Sequence, residues 1–210
     1  NPMQDLDSPR LKKSLPRYLS LDESIQLLEA VDEPNQARDY CILTLFLNCG
    51  LRISELVSLN ITDVREEQLR VLGKGNKERM IFLNEACRAA LDDWLEERSR
   101  QAAADPNALF LTRTHTRMTK DAVHYMVKQR LKKAGLDASL YSSHKLRHTA
   151  ATLMLQNGVD VRTLQEVLGH ENLNTTQIYT HVDNENLRSA AKANPLGRMK
   201  KKSTPIPPGK

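Results

Sequence analysis

Four short segments of this 210-residue chain place strong phosphate-binding or proton-transfer groups beside a glycine or a helix end. In Gly50-Leu-Arg-Ile-Ser-Glu-Leu56 the glycine stops one helix and Arg52 stands where the next begins. Its planar guanidinium can grip two phosphate oxygens while Glu55, three positions on, holds it in orientation. Taken alone, the two could equally form a structural pair on a helix face. In Gly73-Lys-Gly-Asn-Lys77 a glycine-rich turn pushes Lys74 outward, where an ammonium can protonate an oxygen near a phosphate. An ordinary solvated hairpin tip is the competing reading. The GxxxxGK[ST] spacing of a nucleotide-binding loop is absent and no helix follows the lysine, which disfavours nucleotide hydrolysis.

The third segment, Ser143-His-Lys-Leu-Arg-His148, opens a helix with His144 and Arg147 on one face of its first turn, where free backbone N–H groups also favour an anion. His144 and His148 have the i,i+4 spacing of metal ligands, but Lys145 replaces the glutamate of HExxH and the surroundings are cationic, so no metal site is read here. The fourth is Leu168-Gly-His170, followed nine residues later by Tyr179 in a short polar helix. A tyrosine hydroxyl has a pKa near 10, and surrounding cations favour the phenolate as a nucleophile; a half-buried packing residue is the alternative. Together, two arginines, a lysine and two histidines can stabilise charge on a phosphoryl centre without a metal or other cofactor, and the tyrosine supplies a covalent partner.

The elements that must position these groups are mainly helical. Ser20 and Glu23 form a capping box ahead of an apolar-faced helix. Further helices are expected over Ala37–Asn48, Ile53–Leu59 and near 84–101, 119–134, 143–157, 161–168, 174–180 and 183–193, with Gly50, Gly135, Gly158 and Gly169 as stops. Between them, Gln68–Leu72 and Glu78–Leu83 read as an antiparallel β-hairpin, and Leu109–Leu111 as an extra strand. The expected class is α+β, mainly α with a small antiparallel hairpin. Residues 1–17, with Pro2, Pro9 and Pro16 among basic side chains, read as a linker from a further N-terminal domain; residues 18–194 form the main domain. Residues 195–210, basic and proline-rich, are expected to be a disordered tail.

The ordered motifs GLRISEL, GKGNKER, HKLRHT, LGH and IYTH resemble the catalytic-domain signature of the tyrosine site-specific recombinases, the phage integrase family, and most of all its Xer and integrase branch. The resemblance spans nearly the whole chain. It implies the tyrosine recombinase catalytic-domain fold, with Arg52, Lys74, His144, Arg147 and His170 around a scissile DNA phosphate and Tyr179 attacking it to leave a 3′-phosphotyrosyl link. It also implies that Lys74 protonates the leaving oxygen and Glu55 orients Arg52, with no metal and no ATP. The biological setting would be integration, excision or chromosome dimer resolution. A type IB topoisomerase-like nicking and resealing enzyme, or a non-catalytic DNA-binding module, are the alternatives.

Charge distribution agrees with a double-stranded DNA partner. The formal net charge is only +5, yet residues 1–104 carry 14 Lys+Arg against 18 Asp+Glu and residues 105–210 carry 17 against 8. Lys120, His124, Lys128 and Lys132 recur every four residues along one expected helix, opposite an apolar stripe, and join Lys77, Arg79 and Lys145 as candidate DNA contacts. The last helix, directly after the tyrosine segment, is expected from the resemblance to dock into a neighbouring protomer and build a homo- or hetero-tetramer on DNA. No apolar run approaches the roughly 18 residues of a membrane span. Three cysteines without CxxC spacing (Cys41, Cys49, Cys87) suit a reducing setting, and the expected location is the prokaryotic cytoplasm, at the nucleoid.

Overall fold

A computed structural model describes residues 17–170 and 184–202. The chain forms α1 (Leu21–Glu29), α2 (Gln36–Cys49), α3 (Ile53–Ser58), β1 (Gln68–Leu72), β2 (Glu78–Phe82), α4 (Glu85–Ser99), α5 (Lys120–Lys133), α6 (Ser143–Gln156), α7 (Val161–Leu168) and α8 (Asn184–Ala193). This is the expected mainly helical class with one antiparallel hairpin, and the boundaries agree with the sequence pattern to within two residues. The expected helix over 174–180, with Tyr179, lies outside the described residues.

Local chemistry accounts for most of these elements. At α1 the Ser20 hydroxyl accepts from the Glu23 amide at 3.1 Å and the Glu23 carboxylate accepts from the Ser20 amide at 2.8 Å. From Cys41 to Leu47 α2 is apolar apart from Thr44, and such a helix is stable only at the centre of a domain; all of its residues are buried, with α4 and α6 packed against it. Its one carboxylate, Asp39, is held by Arg38 at 2.8 Å and by Arg130 of α5 at 2.7 Å, so neither oxygen is left unpaired in the core. In the hairpin Gln68 pairs with Phe82 and Leu72 with Glu78, and the turn over Lys74–Asn76 closes through Gly75 at φ 72.

The core has two parts. The larger surrounds α2 and includes Phe46, Trp94, Phe110, Leu146 and Leu153; the smaller joins Ala150 and Met154 of α6 to Leu164 and Leu168 of α7 and Ala190 of α8. α6 contributes to both, so the α7–α8 layer hangs on its far side.

Two expectations are corrected. Leu109–Leu111 is not a strand. The run is buried, but helix side chains take its carbonyls: Trp94 donates to Leu109 at 2.9 Å and Arg38 to Leu111 at 2.9 Å, leaving only isolated bridges at Ala108 and Leu111. Nor do residues 195–202 form a loose tail. Leu196 is 1% exposed in the larger core, Asn194 donates to the Leu47 carbonyl at 3.0 Å, and the Ala86 amide donates to Gly197 at 2.8 Å. Lys200, Lys201 and Lys202 reach Glu85, Asp93 and Glu29, so the acidic first half of the chain supplies their counter-charges. Replacing Leu196 with Ala is therefore expected to lower stability by about 2–4 kcal/mol in urea denaturation, where a surface position would change it by no more than about 0.5 kcal/mol.

Candidate active site

Glu55 is the centre of the site. It lies in the first turn of α3, is 2% exposed, and each of its oxygens accepts from two arginines. Oε1 takes Arg52 Nη1 at 3.1 Å and Arg79 Nη1 at 2.6 Å; Oε2 takes the Arg52 backbone N–H at 2.8 Å and Arg79 Nη2 at 3.1 Å. Burial alone would raise the Glu55 carboxyl, but the hydrogen bonds and charge of Arg79, the Arg52 amide and the charge of Arg147 outweigh it and hold the group below the ordinary carboxylate range. Arg52, at 38% side-chain exposure, keeps part of its guanidinium open to solvent.

The second half of the site is the C-terminal end of α7. The last four carbonyls of a helix have no partner within it, and here all four are satisfied. His170 N–H donates to Gln165 at 3.0 Å and Gly169 N–H to Glu166 at 3.1 Å, while Arg79 Nε donates to Val167 at 3.1 Å and Arg147 Nη2 to Leu168 at 2.9 Å. Two cations thus sit at the negative end of the helix dipole. Arg147 also donates through Nη1 to the Gly50 carbonyl, tying the end of α2 to the end of α7. Gly50 has φ 61, and a Cβ there would lie 2.4 Å from Leu168 Cδ2, so both the backbone conformation and the close approach require glycine.

Desolvation, and then the neighbouring Arg52, lowers the Arg147 pKa to about 10, with Arg79 acting in the same sense; the group stays charged at neutral pH. His170 follows Gly169 and is exposed. Partial desolvation, and then the charges of Arg147, Arg52 and Arg79, push its imidazole below the ordinary value of about 6.5. The shift favours the neutral imidazole, which offers an N–H donor rather than a charge.

The structure therefore brings Arg52, Glu55, Arg147 and His170 together. Lys74 is exposed and follows Gly73, whose Cβ position lies 3.8 Å from Glu55 Oε1, so the lysine is anchored one residue from the carboxylate. His144 is exposed in the first turn of α6, one turn before Arg147, behind a Ser142 N-cap. His148 turns away from it, toward Tyr18, with ring centroids 6.1 Å apart. Tyr179 lies outside the described residues.

Of the candidate DNA contacts, Lys77, Lys120, His124 and Lys132 are exposed and Lys145 is half-buried. Lys128 instead folds back onto the carbonyls of Ala138 and Tyr141, and Arg79 is spent on Glu55 and Val167. The position of Arg79 had a signal in the sequence: in a strand it shares a face with Ile81, which is buried.

The chain is similar to known proteins in both sequence and fold. The Phage integrase family matches residues 17–186. The chain is 54% identical over 199 residues to the tyrosine recombinase XerC of Caldanaerobacter subterraneus subsp. tengcongensis, covering 94% of this chain and 56% of that protein. It is 42% identical over 209 residues to XerC of Vibrio cholerae, covering 96% and 66%. Among solved structures, XerA recombinase superposes with a TM-score of 0.70 at 35% identity, over 85% of this chain and 65% of that one. XerH site-specific recombinase bound to difH substrate superposes with a TM-score of 0.66 at 31% identity, over 85% and 55%. The chain thus spans little more than half the length of some of the proteins it matches.

The charge cluster makes two predictions. Glu55→Gln leaves two guanidiniums facing a neutral amide and is expected to destabilise the fold by about 3 kcal/mol or more in urea denaturation. Because the Glu55 pKa is depressed, its contribution is present above the unfolded carboxyl pKa and is lost as pH falls through the folded one. His170 should titrate by NMR below about 6.5 and move up in Arg52→Gln, which removes one nearby positive charge. Its folded state binds fewer protons than the unfolded state between the two pKa values, so its contribution to stability rises with pH across that window.

Proposed function

Since the chain belongs to the phage integrase family, we propose that it is the DNA-cleaving and rejoining domain of a site-specific recombinase with Tyr179 as its nucleophile. The observation that carries this reading is the arrangement of Arg52, Arg147 and His170 around one buried carboxylate, a cluster with net positive charge and no bound counter-anion of its own beyond Glu55 among the described residues. Such a cluster suits the charge that develops on the non-bridging oxygens of a phosphate under attack.

The phenol oxygen of Tyr179 attacks the phosphorus of a DNA phosphodiester and the bond from phosphorus to the 5′ oxygen breaks. The product is a 3′-phosphotyrosyl link and a free 5′-hydroxyl. Lys74 gives a proton to the departing oxygen, and His144 assists removal of the phenol proton. Arg52 offers the open part of its guanidinium, Arg147 the N–H groups left beyond its bonds to Gly50 and Leu168, and His170 one ring N–H, to the non-bridging oxygens of the pentacoordinate phosphorane. The phosphotyrosine conserves the phosphodiester bond energy, so a 5′-hydroxyl from a second strand can reverse the step without ATP or metal.

Duplex DNA as the partner is supported by the XerH neighbour, which is bound to its difH substrate, and by the exposed Lys120, His124 and Lys132 on α5. The Ser143 hydroxyl lies 3.4 Å from the His124 ring, so this basic face adjoins the first turn of α6 that carries His144. The linker reading of residues 1–17 belongs to the same proposal: a helical domain joined there would complete a clamp around DNA. Assembly into a tetramer through α8 does too. α8 packs on its own α7 and β2 with Ala190 alone buried and Arg188 5.0 Å from the Phe82 ring, a small attachment compatible with exchange between protomers. Action on DNA implies a cytoplasmic, nucleoid-associated location.

Incubated with nicked suicide duplexes, the chain is expected to form a denaturation-resistant DNA adduct that Tyr179→Phe abolishes. An adduct in Tyr179→Phe removes the assigned nucleophile. Adducts formed without any sequence requirement favour a type IB topoisomerase-like activity, and tight binding with no adduct favours a non-catalytic DNA-binding module.

A further inference from the structure

We infer that Arg79 is a positioning residue that locks the two halves of the active site to each other, and not a DNA contact. The inference rests on the catalytic reading above and adds a residue to it. Three N–H groups of the Arg79 guanidinium have partners inside the protein: Nη1 and Nη2 lie on the two oxygens of Glu55 at 2.6 and 3.1 Å, and Nε lies on the Val167 carbonyl at 3.1 Å. Its side chain is 15% exposed, against 38% for Arg52. Glu55 in turn holds Arg52 by side chain and backbone, so the direction of the Arg52 guanidinium depends on the fork that Arg79 lays across the same carboxylate.

The other end of the contact is as close. A Cβ at Gly169 would lie 3.0 Å from both Cδ and Nη1 of Arg79, and Gly169 has φ 66. Arg79 therefore rests directly on the backbone that precedes His170, where the positive φ favours glycine and any Cβ would press on the guanidinium. One planar side chain on β2 fixes Arg52 through Glu55 and fixes His170 through the end of α7. Those groups belong to different packing units: α3 lies on the larger core, α7 on the smaller. A lysine cannot reproduce this, because a single ammonium has neither the fork nor the span.

The test compares wild type, Arg79→Ala and Arg79→Lys, each confirmed as folded by its thermal transition. Three quantities are read: the single-turnover rate of adduct formation on nicked DNA, the salt dependence of DNA binding, and the NMR titration of His170. Positioning predicts an adduct rate at saturating DNA lowered about 10²-fold in Arg79→Ala and at least about 10-fold in Arg79→Lys, with half-saturating DNA unchanged within about twofold. It also predicts an unchanged salt slope, and a His170 titration that moves even in Arg79→Lys, where the charge is kept. A slope lowered by about 1, with the rate restored by more DNA, means that Arg79 touches a phosphate and overturns the inference. Wild-type rates in both variants overturn it as well. If the wild-type chain forms no adduct, the tyrosine chemistry falls separately, and Arg79 is still decided: an unchanged slope with a displaced His170 titration upholds positioning, and any other pairing overturns it.

Discussion

The site depends on one carboxylate being kept ionised inside a protein that would otherwise favour its protonation. Glu55 is buried, and burial of a lone charge is opposed by desolvation that only close partners can offset. Four hydrogen bonds from two arginines supply that compensation and divide evenly between its oxygens. The arrangement leaves an excess of positive charge, because Arg147 and Arg79 both approach while Glu55 is the one anion paired with them among the described residues. Desolvation first, and then the neighbouring guanidiniums, lower the pKa values of Arg147 and His170, so both burial and like charge oppose additional positive charge in this cluster.

That charge cluster is also a joint. α7 is short; it packs on α6 through Leu164 and Leu168, and the carbonyls at its end add polar ties to other elements. Arg79 and Arg147 take two of them, and Arg147 spans from Leu168 back to Gly50, where α2 stops. The same arginines that make the region cationic therefore fix where His170 stands. Electrostatics and packing act on one set of atoms here, so a change at Gly50 or Gly169 would disturb the charges without altering any charged residue.

Local elements were readable in the chain before folding, because periodicity, capping boxes and glycine stops act over a few residues. Ser20 with Glu23, the apolar centre of α2 and the Gly75 turn follow from their immediate neighbours. The errors arose where distant groups intervened. Leu109–Leu111 has the composition of a strand, but Trp94 and Arg38 claim its carbonyls from other helices. Proline and lysine after residue 194 suggested disorder, yet Leu196 finds the core and the lysines find acidic partners from α1 and α4. Lys128 fits a basic helical face by spacing, but carbonyls of the following loop lie within its reach.

The residue types and their order determined the class of chemistry: arginine, lysine, histidine and tyrosine in motifs whose spacing identifies the phage integrase family. They also determined that Glu55 pairs with Arg52, since a separation of three residues brings both to one helix turn. What only the tertiary structure decided is the third partner. Arg79 is 24 residues from Glu55 and 88 from Val167, and reaches both only because the fold brings β2, α3 and the end of α7 within the span of one side chain. Sequence periodicity can place a side chain on a face. Which opposing group meets it is set by how separate elements assemble, and that assembly turned an apparent surface cation into an internal brace.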